Sequence, residues 1–402
     1  MKILVLSKLL PHPRGISGSL IIYNRMRLLA EMGHEVDLLS FVSGFDVNWA
    51  NDIKPLIRRF KLIREPACRP LLRRLLSGDF AGVPRPFSSS SSAAMRRTVA
   101  EMVELHQYNA VIAEFSAMGQ YLFRNPLLPA VRRIISVHEC ASTSYAKAIR
   151  LRPWSPDGIV KRLRFPRLLR YEFAMYDNAD RILTLTDRER DAMLEHDPDL
   201  KITVVPHTAD IAAFRECWSA QRENATIFVG CFSLETNRDA TLWFAKSVWP
   251  SLRQRFPDLL FYVVGRGVTD DIRALGIHDK RIIVTGEVDD IRPYLAKAKA
   301  FVCPVRMGSG FRAKLLEAMA AGVPIVSTAL GAEGIPAWTG DAIFITDTAQ
   351  GFLQHISLIL GDDELRQSMA KNALAIVKAG FSADHAVKAL DSALHDAMKA
   401  GV

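Results

Sequence analysis

Residues 302–327 read VCPVRMGSGFRAKLLEAMAAGVPIVS. The apolar lead suits a buried strand, Gly308 and Gly310 open a loop, and Lys314–Ala321 carries a helical pattern that stops at Gly322. Pro324–Ser327 then reads as another short strand. Strand, glycine loop, helix and strand in this order make a βαβ crossover, and a crossover implies a parallel sheet. Glycines let a backbone approach a ligand closely, and free amides at a helix start favour phosphate. Arg312 and Lys314 stand at that start, where a helix normally prefers acids, so these two bases are locally unfavourable unless an anion binds. Glu317 lies one turn further on, within reach of a hydroxyl pair. An ordinary βα turn with solvated bases fits the same residues.

The alternation extends outward in both directions. Strand patterns fall at Lys2–Leu6, Glu35–Leu39, Ala110–Ala113, Arg133–Val137, Arg181–Leu185 and Ile202–Val205 in the first half. In the second half they fall at Thr226–Val229, Leu259–Val264, Arg281–Val284, Ala300–Cys303, Pro324–Ser327 and Ala342–Ile345. Helical patterns lie between them, among them Leu20–Met32, Pro166–Asn178, Arg238–Arg255 and Ala349–Leu360. Strands spaced by helices indicate an α/β chain with parallel sheets covered on both faces. The pattern runs through twice, so the reading is two doubly wound domains, 1–207 and 208–381, parted near Pro206-His207-Thr208. The last segment, Ser382–Lys399, is helical with apolar Ala386, Leu390, Leu394 and Met398, and a helix over about 382–402 is assigned back to the first domain.

Composition narrows the class. A chain of 402 residues, 49% hydrophobic and 24% charged, suits two folded domains rather than a disordered protein. No apolar run approaches the ~20 residues of a membrane-spanning helix. Met1–Leu6 reads as a first buried strand rather than a leader. The cysteines (Cys68, Cys140, Cys217, Cys231, Cys303) are scattered and never in a CxxC pair, which points to a reducing compartment and to core thiols. The net charge is +9, and the first 200 residues hold 30 Lys+Arg against 21 Asp+Glu. The excess therefore lies wholly in the first half, which points to a partner for that half. Lys54–Leu76 and Arg150–Arg170 interleave bases with apolar residues including Trp154, a composition suited to an anionic lipid surface or to a solvated basic face. No recognition motif for nucleic acid accompanies the charge.

The first half offers a second set of candidates. Pro13-Arg-Gly15-Ile-Ser-Gly18-Ser19 follows the first strand and precedes a helix, a loop able to approach a phosphate or sugar. It lacks the GxGxxG of a dinucleotide fold. His138 follows a parallel strand at the carboxyl edge, where such sheets place ligands, and Glu114 also falls at an edge. His207 stands at the domain junction. Asp197-Pro-Asp199 matches a DxD pattern but sits in a polar connector, and we treat it as chance.

Phe311 through Pro324, with Glu317-Ala-Met-Ala-Ala-Gly-Val-Pro, resembles the nucleotide-sugar motif of the retaining GT-B glycosyltransferases, especially family 4. The resemblance spans nearly the whole chain and is strongest in the second half. It implies two Rossmann-like domains facing each other across a cleft, with the first binding acceptor and the second binding nucleotide-sugar. Carried over by position, Glu317 would hold the ribose hydroxyls, and the amides of Phe311, Arg312 and Ala313 the diphosphate. Gly286-Glu287-Val288 would face the base. Gly15, Gly18 and Ser19 resemble the family's glycine loop beside the donor, and His138-Glu139 its His-acid motif at the donor sugar.

The sequence departs from that pattern at two places. Ser309, beside Gly310, stands where a second glutamate usually touches the donor sugar. Cys231 and Asn237 stand at about the positions of a usual Arg and Lys. The expectation is that Arg312 and Lys314 neutralise the diphosphate instead, with Arg266 as a further candidate. The implied reaction is retaining transfer of a hexosyl unit to a glycan or lipid-linked acceptor. It would need no metal and no cofactor beyond the nucleotide-sugar, and would run in the cytoplasm or at the inner face of the membrane. A nucleotide-sugar 2-epimerase and a non-catalytic binding relative share the architecture.

Overall fold

The computed structural model describes residues 1–13, 18–42, 53–66, 83–151, 153–308, 311–336 and 340–399. The chain forms two units, Met1–His207 with Ala386–Val402, and Thr208–His385.

In the first unit seven strands run parallel: β1 Lys2–Ser7, β2 Glu35–Val42, β3 Arg59–Arg64, β4 Ala110–Glu114, β5 Arg132–Val137, β6 Arg181–Thr184 and β7 Ile202–Val204. Their order is β3-β2-β1-β4-β5-β6-β7. Both faces are covered, so the strands read as near-continuous apolar runs rather than alternating ones. Leu4, Leu6, Leu39 and Phe41 pack under the helix Ala93–His106, whereas Ile135, Val137 and Ile182 pack under the helix Pro156–Asp177.

Strand β3 was missed in the sequence, where its six residues lie inside a segment read as a basic surface. It is an edge strand paired to β2, and the neighbouring bases have partners in the sheet. Buried Asp37 draws the Arg58 and Arg59 guanidiniums to 3.4 and 3.5 Å and accepts from the Tyr108 hydroxyl at 2.6 Å. The rest of that basic segment, Cys68 included, lies outside the described residues from 67 onward.

Two helix boundaries also differ. The helix Pro156–Asp177 begins ten residues before the expected Pro166, because Ser155 accepts from the Gly158 amide and Pro156 fits the first turn. Pro166 lies inside it. The single helix expected over Arg238–Arg255 is two, Glu235–Ser247 and Trp249–Arg255, because Pro250 cannot continue the amide ladder of the first.

The second unit holds β8 Glu223–Val229, β9 Leu260–Val264, β10 Ile282–Gly286, β11 Ala298–Cys303, β12 Ile325–Ser327 and β13 Ile343–Ile345, in the order β10-β9-β8-β11-β12-β13. One apolar core spans both faces. The last helix, Ala383–Lys399, is tied to the first unit by an Arg181–Asp396 ion pair at 3.3 Å and by Arg132 donating to the Met398 carbonyl. Among the described residues no helix is long and apolar enough to cross a membrane.

In each sheet the chain reverses its direction of winding once, between β1 and β4 and between β8 and β11. Crossovers leave on opposite faces there, and the carboxyl ends of the two strands border a crevice. The turn beyond β5 in the first unit is held rigidly. Glu172, fully buried, accepts from the Ala141 and Ser142 amides at 2.9 and 2.8 Å and from the Tyr176 hydroxyl at 2.9 Å. A carboxylate at the start of the helix Ala141–Leu151 also matches the helix dipole. Replacing Glu172 with Ala leaves the Ala141 and Ser142 amides without their acceptor, while the Tyr176 hydroxyl keeps Ser116 at 2.8 Å. It is expected to lower stability by roughly 2–4 kcal/mol, read as a lower urea midpoint for the first unit.

Candidate functional site

The second unit's crevice is assembled from turns beyond four strands. The Gly265 amide donates to the Gly286 carbonyl at 3.0 Å, and the Phe232 amide donates to the Arg266 carbonyl at 2.8 Å. These backbones pass so closely that a Cβ on Gly265 would stand 1.9 Å from the Gly230 carbonyl oxygen, and its φ of +139° favours glycine as well. Beyond β11, Gly308 adopts φ +87° and lies against Thr236, with the Arg312 guanidinium beside it. Gly15, Ser309 and Gly310 lie outside the described residues.

The helix begins at Ala313, with Arg312 at its N-cap position, and runs to Ala320. Its apolar face (Leu315, Leu316, Met319) is buried and aims its first turn at the crevice between β8 and β11. The far end is clamped. Trp218 donates to the Ala320 carbonyl at 2.8 Å, and Arg222 donates to those of Ala321 and Gly322 at 3.0 and 2.9 Å.

Lys314 turns back under the first turn. Its Nζ donates to Asn237 Oδ1 at 2.8 Å and lies 4.2 Å from the centre of the Phe228 ring, while Asn237 Nδ2 donates to the Cys231 carbonyl at 2.9 Å. An ammonium is thus delivered to Asn237, the position where the resemblance expects a lysine. Burial pushes the Lys314 ammonium down to about 8. Burial also pushes the Glu317 carboxyl up to about 7, with Lys314 pulling the other way. Both groups therefore change charge near neutrality, a common feature of ligand sites. Phe311 stacks on Phe381 with ring centres 5.8 Å apart, so its side chain belongs to the core. Ala313 is buried, and Val288 packs partly buried on the same core. Arg266 lies partly buried after β9.

The first unit's crevice holds a polar cluster in an apolar setting. His138 Nε2 lies 2.7 Å from Glu114 Oε2, and Arg25 Nη1 lies 3.4 Å from Glu114 Oε1 and donates to Ser136 Oγ at 2.6 Å. Burial drives the Glu114 carboxyl upward, but Arg25 and the bond to His138 outweigh it and hold it below the usual carboxylate range. His207 is buried near the same charges, and its imidazole is pushed down to about 3 by burial, then by His138 and Arg25.

Sequence reading missed Arg25, Ser136 and Phe115. Arg25 had a legible signal, since it interrupts the apolar stripe Ile21, Ile22, Met26 and Leu29 of the helix Gly18–Glu31. Gly18 has a packing role, because a Cβ there would meet the Phe115 ring at 2.3 Å. Ser19 is buried and its hydroxyl donates to the Leu10 carbonyl at 2.5 Å. Asp197 accepts from the Asp199 amide at 3.2 Å, an exposed Asx turn.

Two comparisons cover both units. Residues 21–208 match the family described as "Glycosyl transferase 4-like domain", and residues 223–362 match "Glycosyl transferases group 1". The chain is 22% identical over 399 residues to an uncharacterized 44.6 kDa protein in the cps region of Klebsiella pneumoniae, covering 94% of this chain and 96% of that protein. It is 32% identical over 178 residues to a phosphatidyl-myo-inositol mannosyltransferase of Mycolicibacterium smegmatis, covering 42% of this chain and 45% of the other. Among solved structures it is similar to Anabaena Alr3699/HepE in complex with UDP and glucose, with TM-score 0.67, 15% identity, and coverage of 98% and 99% of the two chains.

Glu317 keeps its proton in the folded state up to about pH 7, against an ordinary 4.5 when unfolded. The folded form therefore holds more protons between those values, and stability falls as pH rises through them. Thermal melts across pH 4.5–8 are expected to show wild type losing ground to Glu317→Gln through that window, with the gap constant beyond its ends.

Proposed function

We propose that this chain, whose residues 21–208 and 223–362 match glycosyltransferase families, moves a hexosyl unit from a nucleotide diphosphate-sugar to a glycan or lipid-linked acceptor with retention of configuration. The observation that carries this reading is Lys314, whose ammonium lies beside Asn237 at the first turn of the helix Ala313–Ala320.

In this reading the nucleotide diphosphate binds at the β8/β11 crevice. Helix-start amides from Phe311 to Ala313 and the charges of Arg312 and Lys314 stabilise the leaving diphosphate, an electrostatic lowering of the barrier that needs no metal. Arg266 borders the same phosphates. Glu317 accepts from the ribose hydroxyls, and the segment at Val288 faces the base. His138, Gly18 and Ser19 are the first unit's contacts to the sugar. The departing phosphate oxygen takes the acceptor's proton on the face it leaves, which accounts for retention. Support for the donor class comes from the UDP and glucose in the Anabaena structure, and for a lipid acceptor from the mycobacterial relative's name.

A thermal-shift screen with UDP, GDP, ADP and their hexoses identifies the base, because a ligand that binds only the folded state raises the melting temperature. Arg312→Ala and Lys314→Met are each expected to weaken the selected nucleoside diphosphate about tenfold or more, from loss of a charge-assisted contact of roughly 1.5–3 kcal/mol. An anion beside Lys314 also raises its proton affinity from about 8. Calorimetry at pH 8 in buffers of different ionisation enthalpy should then show more proton uptake for wild type than for Lys314→Met. Unchanged affinity in both variants excludes the proposed phosphate site.

The acceptor side is assigned to the cytoplasmic face of a membrane. Trp154 and Leu163 are each 78% exposed beside Lys161 and Arg162, and Arg162 lies over the Trp154 ring. Bases near an anionic surface contribute ~1 kcal/mol each. Flotation with anionic vesicles is expected to carry the protein up at low salt, and Trp154→Ser with Leu163→Ser to reduce it. Flotation that is equal with neutral vesicles, or absent, removes the membrane assignment.

A further inference from the structure

The polar cluster of the first unit has a geometry that its sequence pattern does not explain. His138 is 6% exposed, and Glu114 1%. Glu114 is an ionised acceptor, held in that state by Arg25 at 3.4 Å. A carboxylate accepts only, so the imidazole nitrogen 2.7 Å from it, Nε2, must carry the proton. The other nitrogen, Nδ1, is buried and has no hydrogen-bond partner among the described residues.

A proton on Nδ1 would be a buried donor with nothing to receive it, costing ~1–3 kcal/mol, and it would add a positive charge close to Arg25. Both effects leave Nδ1 as a bare lone pair. The ring cannot swing away to satisfy it, because the Phe115 ring packs over it with centres 4.1 Å apart. Phe115 itself adopts φ +72°, a strained conformation for a non-glycine residue, and Gly18 packs against its ring. Strain of this kind persists where the surroundings over-determine it, and it clusters at functional sites.

We infer that Glu114, braced by Arg25, is a positioning residue that fixes His138 as the Nε2–H tautomer, so that Nδ1 presents a hydrogen-bond acceptor to a hydroxyl of the substrate. The hydroxyl partner rests on the glycosyltransferase reading above, whereas the tautomer does not. His138 is in this way an acceptor specific for a hydroxyl group of the substrate. A sugar with the hydroxyl at that place replaced by hydrogen would leave the lone pair buried and unpaired.

The tautomer is read directly by nitrogen-15 NMR of the full chain labelled at its histidine rings, with His138→Gln used to identify the His138 signals. Wild type at pH 7.5 is expected to show a protonated Nε2 and an unprotonated Nδ1. In Glu114→Gln, which keeps the shape but can donate as well as accept, the single tautomer is expected to be lost. A wild-type His138 protonated on Nδ1, or on both nitrogens, overturns the inference, as does an unchanged spectrum in the variant. Kinetics supply a second arm: Glu114→Gln should lower kcat by about tenfold to a hundredfold while donor KM stays within about threefold, the pattern of an interaction made in the transition state. Equal kcat in the two proteins counts against the positioning role. If no donor is turned over by wild type, the transferase reading fails while the NMR result still decides the tautomer.

Discussion

A parallel strand buried on both faces cannot hand the chain to its neighbour through a tight turn. It needs a crossover, and the crossover sends every strand's carboxyl end to the same edge of the sheet. Both units obey this constraint, and the placement of the chemistry follows from it. Where the winding reverses, between β1 and β4 and between β8 and β11, adjacent crossovers diverge and leave backbone and side chains facing a crevice. Glu114 ends β4, His138 follows β5, and the loop before Gly18 leaves β1. Asn237 follows β8, while Arg312 and Lys314 follow β11.

Within the second unit the charges are arranged against local stability. An ammonium under a helix start works against the helix dipole, and a carboxyl pushed up to about 7 loses its proton at a cost. Lys314 is held by an amide oxygen and an aromatic face, partners weaker than a carboxylate. Such an arrangement suits an anion that arrives and leaves, since a resident carboxylate would compete with it. The helix tolerates the strain because its other end is secured by Trp218 and Arg222 and its flank is in the core.

The first unit solves a different problem, holding one imidazole still in an apolar pocket. Glu172 fixes the turn that carries it, Glu114 and Arg25 fix its polar edge, and Phe115 fixes its face. Ser136 takes the remaining Arg25 bond. Arg25, Glu114, Ser136 and Glu172 are all buried, so removal of any one of them takes a hydrogen-bond partner from another buried polar group.

Much of this was legible without coordinates. Apolar runs separated by helical periodicity determine the α/β class and the positions of all twelve expected strands, ten of them with bounds within two residues, and the glycines at 308 and 322 bracket the one helix whose start matters most. Local pattern reports what a residue must be buried against, and that information is carried by neighbours in the chain. The edge strand β3 escaped because Arg59 and the preceding Arg58 are matched by Asp37, twenty-odd residues away, which no local pattern encodes. The pairing of Lys314 with Asn237, 77 residues apart, and of Arg25, Glu114 and His138 across three elements, was likewise decided by tertiary structure alone. Sequence named most of these residues as candidates by type and position. Only the fold, by excluding water and bringing distant strands' ends together, determined which of them share a proton or a charge.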